Sequence, residues 1–312
     1  MRVRVRLVAV PLVAALLAAC TGATTTPSPA PASPSVPASA PASPTGTPNP
    51  CAKGQLTTLT AGKLTVGTDN PAYPPYFQPP ASGNAPAPWQ LGDPTNGEGF
   101  ESAVAYAVAD KLGFTKGDVT WTVVPFDNSY KPGVKPFDFY LAQVSYTPER
   151  AQAVDMSDGY YVVAQSVVAL KGTPIAAAKS IADLKGYKLG AMQGTTAYDA
   201  INNVVQPTAK VSVYDSNDAA IQALKAKQID GIVTDLPTAF YITAAQLDNS
   251  LIVGQFPVTQ GSNAEHFSLV LAKGSALTAC VNQAIAGLKS DGTLDQLTKT
   301  WLSDKANAPV LQ

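Results

Sequence analysis

Residues 137–161 read FDFYLAQVSYTPERAQAVDMSDGYY. The first nine, Phe137–Ser145, are rich in aromatic and aliphatic side chains and predict a strand. Thr147-Pro148-Glu149 then has the form of a helix start, with a capping threonine, a proline at the first helical position and an acid in the first turn. Tyr160 opens a second β-rich run that reaches Leu170. Further out, the same alternation continues in both directions. Strands are predicted at Lys63–Asp69, Val119–Val124, Tyr187–Met192, Lys210–Tyr214, Asp230–Thr234 and Phe267–Leu271. Phe100, Val104, Val108 and Leu112 fall at helical spacing, and Gly113 can close that helix in a left-handed conformation. Further helices are predicted from about Thr196, over Ala219–Lys227, and twice near the end. There Leu277, Val281, Ile285 and Leu288 line one apolar face, and Leu294, Leu297 and Trp301 the other. The alternation argues an α/β fold with a mainly parallel sheet covered on both faces. Neither GxGxxG nor GxxxxGK[ST] occurs, so no nucleotide cradle is indicated.

Composition divides the 312 residues unevenly. Arg2, Arg4 and Arg6 precede an apolar stretch, Leu7–Ala19, that is too short to span a bilayer and reads as an export signal over residues 1–19. Leu17-Ala18-Ala19-Cys20 resembles the lipobox of bacterial lipoproteins. That resemblance implies cleavage before Cys20 and acylation of its thiol, which anchors the protein at the outer face of the cell membrane. Residues 20–50 contain no charge and no aromatic, and nine of the chain's 27 prolines lie between Pro27 and Pro50. Such a segment cannot bury enough apolar surface to offset its ordering entropy and reads as a disordered tether. At roughly 3 Å per residue it reaches up to about 90 Å. A net charge of −1 argues against a nucleic-acid partner. Three cysteines and one histidine leave little material for a Cys/His metal site, and no cofactor is indicated. With Cys20 acylated in an oxidising compartment, Cys51 and Cys280 remain to form one disulfide; the alternative is two free thiols.

Several segments together resemble the family 3 extracellular solute-binding proteins, the amino-acid receptors of ABC importers. They are LTVGTDNPAYPPYF (64–77), GFESAVAYAVADKLGF (99–114), the stretch 137–161, SIADLKGYKLGAMQGTTAYDAI (180–201), VYDSNDAAIQALKAKQIDGIVTD (213–235) and LKSDGTLDQLTKTWL (288–302). They occur in the family's order across most of the chain. The resemblance implies a two-lobed periplasmic-binding-protein-like fold of type II, with a mixed sheet in each lobe. The first lobe is discontinuous, 51–163 with 266–312; the second is 164–265. Hinge crossings fall near Val162–Ser166 and Gly261–His266, and a ligand sits in the cleft between the lobes.

An amino acid presents a carboxylate and an ammonium on one carbon. The first suits a guanidinium and free N–H groups at a helix start; the second suits a carboxylate. By resemblance, Arg150 takes the ligand carboxylate together with Ser145. Thr195 and Thr196 sit at a predicted helix N-terminus and serve the same group, although each would serve equally as a plain cap. Asp235 takes the ammonium, or else only caps the helix that Pro237 begins. For the ligand side chain the resemblance implies Asp69, with Tyr73, Tyr76 and Phe126 as stacking aromatics and Gln143 bringing a donor and an acceptor to the pocket floor. Two stretches depart from the family. Pro132, Gly133 and Pro136 forbid a continuous helix over 126–137, and the loop 78–97 is long and rich in Pro, Gly and Ala. In that loop, Trp89 is expected to pack the loop down.

The implied function is a monomeric lipoprotein that captures a polar amino acid and delivers it to a permease driven by separate ATPase subunits. Two other functions use the same fold: an exported prephenate or arogenate dehydratase, and a ligand-sensing partner of a membrane receptor. Asp69, Glu98, Glu101 and Asp127 are the acids a dehydratase would need, but each reads as solvated or capping, so the chain is expected not to be an enzyme. His266 reads as structural or as part of the hinge.

Overall fold

The computed structural model describes residues 49–258, 261, 264–302 and 308–312. They belong to one compact unit, Thr47–Gln312. The expected export signal, Cys20 and nearly all of the tether lie outside the described residues.

The first half of the chain lays down β1 (Leu64–Thr68), α1 (Phe100–Lys111), β2 (Val119–Val123), α2 (Phe126–Ser129), β3 (Phe139–Tyr140), α3 (Pro148–Ala153) and β4 (Asp155–Met156). A short strand β5 (Tyr161–Val162) leads to β6 (Gln165–Leu170). Then follow β7 (Leu189–Met192), α4 (Thr196–Ala200), β8 (Ser212–Tyr214), α5 (Asn217–Lys225), β9 (Gly231–Asp235), α6 (Leu236–Tyr241) and β10 (Ser250–Gln255). The chain returns through β11 (His266–Phe267) to β12 (Val270–Leu271), α7 (Thr278–Ser290) and α8 (Thr293–Trp301).

Two five-stranded sheets result, in the orders β2-β1-β3-β12-β4 and β10-β6-β9-β7-β8. The first takes β12 from the far end of the chain, so its lobe is discontinuous. β11 and β5 pair antiparallel, His266 opposite Val162, where the chain passes between the two sheets. Strand–helix alternation alone suggests a mainly parallel sheet, and the pairing corrects this. β1 runs parallel to β2 and β3, but β12 is antiparallel to both of its neighbours. β6 is likewise antiparallel to β9 and β10. β10 carries no strong pattern in the sequence and was not anticipated.

The apolar spacing of α1 does what it predicts. Phe100, Val104, Val108 and Leu112 are all buried, and α1 packs against α7 and α8 over one face of the first sheet. In the second lobe Val167 and Ala169 of β6 enter one cluster while Val168 enters another. Both sheet faces are therefore covered, which explains an unbroken apolar run in place of alternation. Cys51 and Cys280 are joined as a disulfide, tying the start of the folded region to α7.

Two local expectations are corrected. Phe137–Ser145 contributes only two residues to the ladder. Beyond them Gln143 turns to φ 53°, which no regular strand tolerates. The β-rich run Tyr160–Leu170 holds two strands, β5 and β6, in different sheets, which is no departure from the sequence reading. The span 266–312 does not stay with the first lobe to its end. Val310 bridges to Gln255 of β10, and Leu311 is buried in a cluster of the second lobe.

Candidate functional site

A cavity of about 350 Å³ lies between the sheets. Its walls come from the carboxyl ends of strands in both lobes, where open α/β sheets place their ligands. From the first lobe Asp69, Tyr73, Phe126, Gln143, Ser145 and Arg150 line it; from the second come Thr195, Thr196 and Asp235. Tyr76 does not line the cavity and corrects the expectation of a stacking ring. It is 1% exposed, packed edge-on to Phe267, and its hydroxyl donates to Asp235 Oδ1 at 2.5 Å. Trp89 is buried under its loop and is also absent from the cavity wall.

Arg150 lies in α3, whose cap is Thr147 accepting from the Arg150 N–H. Arg150 is 8% exposed, and its guanidinium carbon lies 4.6 Å from the Tyr130 ring centre and 5.5 Å from that of Phe126. Nη1 donates to the Ser145 carbonyl at 2.5 Å and Nη2 to the Gly194 carbonyl at 2.7 Å, which crosses the cleft. Burial draws its pKa down. No carboxylate pairs with it among the described residues, so a buried cation with spare N–H donors faces the cavity. Gly194 makes this close approach possible. Its φ is +71°, and a Cβ there would come within 2.6 Å of the Tyr130 hydroxyl.

Asp235 caps α6, its Oδ1 accepting from the Thr238 N–H at 2.9 Å as well as from Tyr76. Burial raises its pKa. Tyr73 also crosses the cleft, its hydroxyl donating to Asp218 Oδ2 at 2.8 Å. Like Arg150–Gly194 and Tyr76–Asp235, this bond helps to hold the two lobes together over the cavity.

Two residues outside the expected set organise the site. Glu265 precedes β11. Its Oε1 accepts from the hydroxyls of Ser145 at 2.8 Å and Thr196 at 2.6 Å, and from Gln165 Nε2 at 2.9 Å. The side-chain hydroxyls of Ser145 and Thr196 are thus engaged by a protein carboxylate, while that of Thr195 donates to the Met192 carbonyl at 2.8 Å. What Thr196 retains is its N–H, which as the first of α4 has no intrahelical acceptor. The only hint of Glu265 in the sequence was its position beside the expected crossing. Glu101 is the other. Expected to be solvated or capping, it is fully buried in the first turn of α1. Its carboxylate accepts from the Gln143 N–H at 2.7 Å, from the Tyr160 hydroxyl at 2.5 Å and from Gln143 Nε2. The Gln143 amide donor expected on the pocket floor is therefore directed to Glu101. Glu98 is exposed as expected. His266 stacks on Tyr146, with Nδ1 2.8 Å from the Ala264 carbonyl, and does not line the cavity.

Desolvation pushes the Glu101 carboxyl up from 4.5 to about 7. The folded state then holds a proton that the unfolded chain has released, so the Glu101 contribution is complete below 4.5 and lost as pH rises through 7. Over that range the loss amounts to about 3 kcal/mol. Glu101→Gln does not titrate. Denaturant titrations at both ends of the range should show the stability gap moving in favour of the variant as pH rises. A gap independent of pH would show that this proton is not linked to folding.

Two α/β lobes joined by paired crossings, with a buried cation and a buried acid at the walls of the cleft between them, define a hinged receptor for a small polar solute. The chain belongs to the bacterial extracellular solute-binding proteins, family 3, whose sequence profile matches residues 64–304. It is 32% identical over 219 residues to the ABC transporter glutamine-binding protein GlnH of Bacillus subtilis, covering 69% of this chain and 77% of that one. An ancestral arginine-binding protein bound to glutamine superposes with a TM-score of 0.61 at 30% identity, over 78% of this chain and 99% of that one. The ancestral amino acid-binding protein AncCDT-1, a precursor of cyclohexadienyl dehydratase, gives 0.60 at 27% identity, over 77% and 95%. Among the described residues no helix is long and apolar enough to cross a membrane, and no His, Cys, Asp and Glu cluster could hold a metal ion.

Proposed function

We propose that this protein captures a free polar amino acid outside the cell membrane and delivers it to an ABC permease. Its lobes are 51–163 with 266–302, and 164–265 with the tail 308–312. Cys20 carries the lipid anchor, and the protein acts as a monomer without catalysing a reaction. Arg150 and the N–H groups at Ser145 and the Thr195–Thr196 helix start take the ligand carboxylate; Asp235 takes the ammonium. The observation that carries this reading is the buried Arg150 guanidinium, which lines the cavity without a carboxylate partner among the described residues. A buried cation left unpaired is costly, and a ligand carboxylate supplies the missing charge. The names of the similar proteins support the same class of ligand.

The test is a thermal-shift screen of the full chain against the free amino acids and prephenate. A ligand present at 100 times its Kd stabilises the folded state by about 2.7 kcal/mol. One or more amino acids should raise the Tm by several degrees. No shift with any amino acid would overturn the proposal, and turnover of prephenate would replace it with the enzyme.

A further inference from the structure

Gripping an α-amino acid by its common group leaves the rest of the cavity for the side chain, and the charges there are lopsided. Four carboxylates line it, those of Asp69, Asp127, Asp215 and Asp235, against the single guanidinium of Arg150. In the proposed grip, Arg150 and Asp235 answer the two charges of the zwitterion. Asp215 is exposed at the rim. Asp69 and Asp127 are left, both partly buried and both in the first lobe.

These two are neighbours. Asp69 follows β1, and Asp127 lies in α2, in the segment that departs from the family pattern. The Asp69 carboxylate accepts from the backbone N–H of Phe126, the residue before Asp127, and from that of Asn70 at 2.8 Å. Asp127 Oδ1 accepts from the Tyr130 hydroxyl at 2.8 Å. Neither forms an ion pair among the described residues. Burial and the Asp127 charge both raise the pKa of Asp69. Two like charges held together in a partly dry cleft repel, and a cation between them removes the strain.

A second observation points the same way. Thr68, adjacent to Asp69, lines this cavity, and its buried hydroxyl has no hydrogen-bond partner among the described residues. Gln165, 5% exposed, lines it too, and its Oε1 is likewise buried without a partner among the described residues. Such groups rarely go unsatisfied. An ammonium offers three donors and a guanidinium five, and neither brings an acceptor that would meet the carboxylates lone pair to lone pair.

We infer that the ligand is an amino acid with a positively charged side chain, a terminal ammonium or a guanidinium, held between Asp69 and Asp127. This inference rests on the amino-acid reading of the cleft. Asp127 becomes a specificity residue, and acidic side chains are rejected by like charge.

Calorimetry on the full chain with arginine, lysine, glutamine and glutamate tests it. Arginine or lysine should bind at least about tenfold tighter than glutamine, and glutamate weakest. Asp69→Asn and Asp127→Asn keep the shape and remove the charge. Each should weaken binding of the cationic ligand by roughly 10- to 100-fold, and binding of glutamine distinctly less. Glutamine or glutamate binding as tightly as the cationic pair would overturn this inference and leave the amino-acid receptor standing. Equal losses for arginine and glutamine in both variants would also overturn it. No binding of any of the four by a protein that still melts cooperatively would overturn this inference, and a full screen without a shift for any free amino acid would overturn the amino-acid reading as well.

Discussion

Arg150→Ala should lower affinity for the bound amino acid by roughly 100-fold or more, the largest effect expected from any single substitution in the cleft. Arg150 is 8% exposed, and its guanidinium is oriented by two carbonyls, Ser145 in the first lobe and Gly194 across the cleft. Those bonds use one N–H on each of two nitrogens. The remaining N–H groups are held in place before any ligand arrives, so little further ordering is needed on binding. Each charge-assisted hydrogen bond contributes about 1.5–3 kcal/mol, and truncation also strands the ligand carboxylate in a desolvated pocket. The substitution further deletes one bond that joins the lobes, so the closed form is weakened as well. Arg150→Lys keeps the charge but loses the planar fork, and should fall between the two. Calorimetry with the amino acid that most raises the Tm reads the affinity, and the Tm without ligand reads folding separately. Unchanged affinity in a folded Arg150→Ala protein would mean that the carboxylate is bound elsewhere.

Removal of the Cys51–Cys280 disulfide should give the largest loss of stability. The bridge joins residues 229 apart in sequence. In the chain-entropy treatment, closing so long a loop in the unfolded state is worth about 5 kcal/mol, and measured removals cost about 2–5 kcal/mol. For a protein of this size that corresponds to a fall in Tm of about 5–15 °C. Cys280 is buried in α7, beside Val281 and Ile285, and Cys51 packs on the same cluster. The double replacement by alanine therefore also loses some packing, and reduction of the unaltered chain separates the two effects. A Tm that moves by less than about 2 °C on full reduction would show that the bridge contributes little.

Much of the site was legible because its residues belong to local patterns. Thr147-Pro148 caps and starts α3, which delivers Arg150. Asp235 closes β9 and caps α6, and Thr195 caps α4. Each role follows from a few consecutive residues, because helix starts and strand ends are local events. Those same positions put polar groups at the carboxyl ends of strands, where the cleft opens. The helices α1, α7 and α8 were legible for the same reason, since a 3.6-residue period shows which face is apolar without reference to a partner.

The remainder depended on what other segments supply. Glu101 looks like an ordinary acid in the first turn of a helix. Only the fold seals it beneath Tyr160 and Gln143, where desolvation raises its pKa to about 7. Tyr76 and Tyr73 occur three residues apart in one motif, yet only Tyr73 reaches the cavity wall, because the other ring fills the core against Phe267. Glu265 gains its role only when Ser145, Gln165 and Thr196, far apart in sequence, converge on one carboxylate oxygen. β10 and the tail bridge at Val310 depend on strand partners remote in the chain, so no local pattern announces them. What the sequence by itself determined was the α/β alternation, the cysteine pair and the helix starts that carry Arg150 and Asp235. Only the tertiary structure decided which acids lie side by side, which hydroxyls are already engaged and which charges remain for a ligand. Burial and long-range contact are properties of the packed chain, and they set the strength of every electrostatic interaction in the cleft.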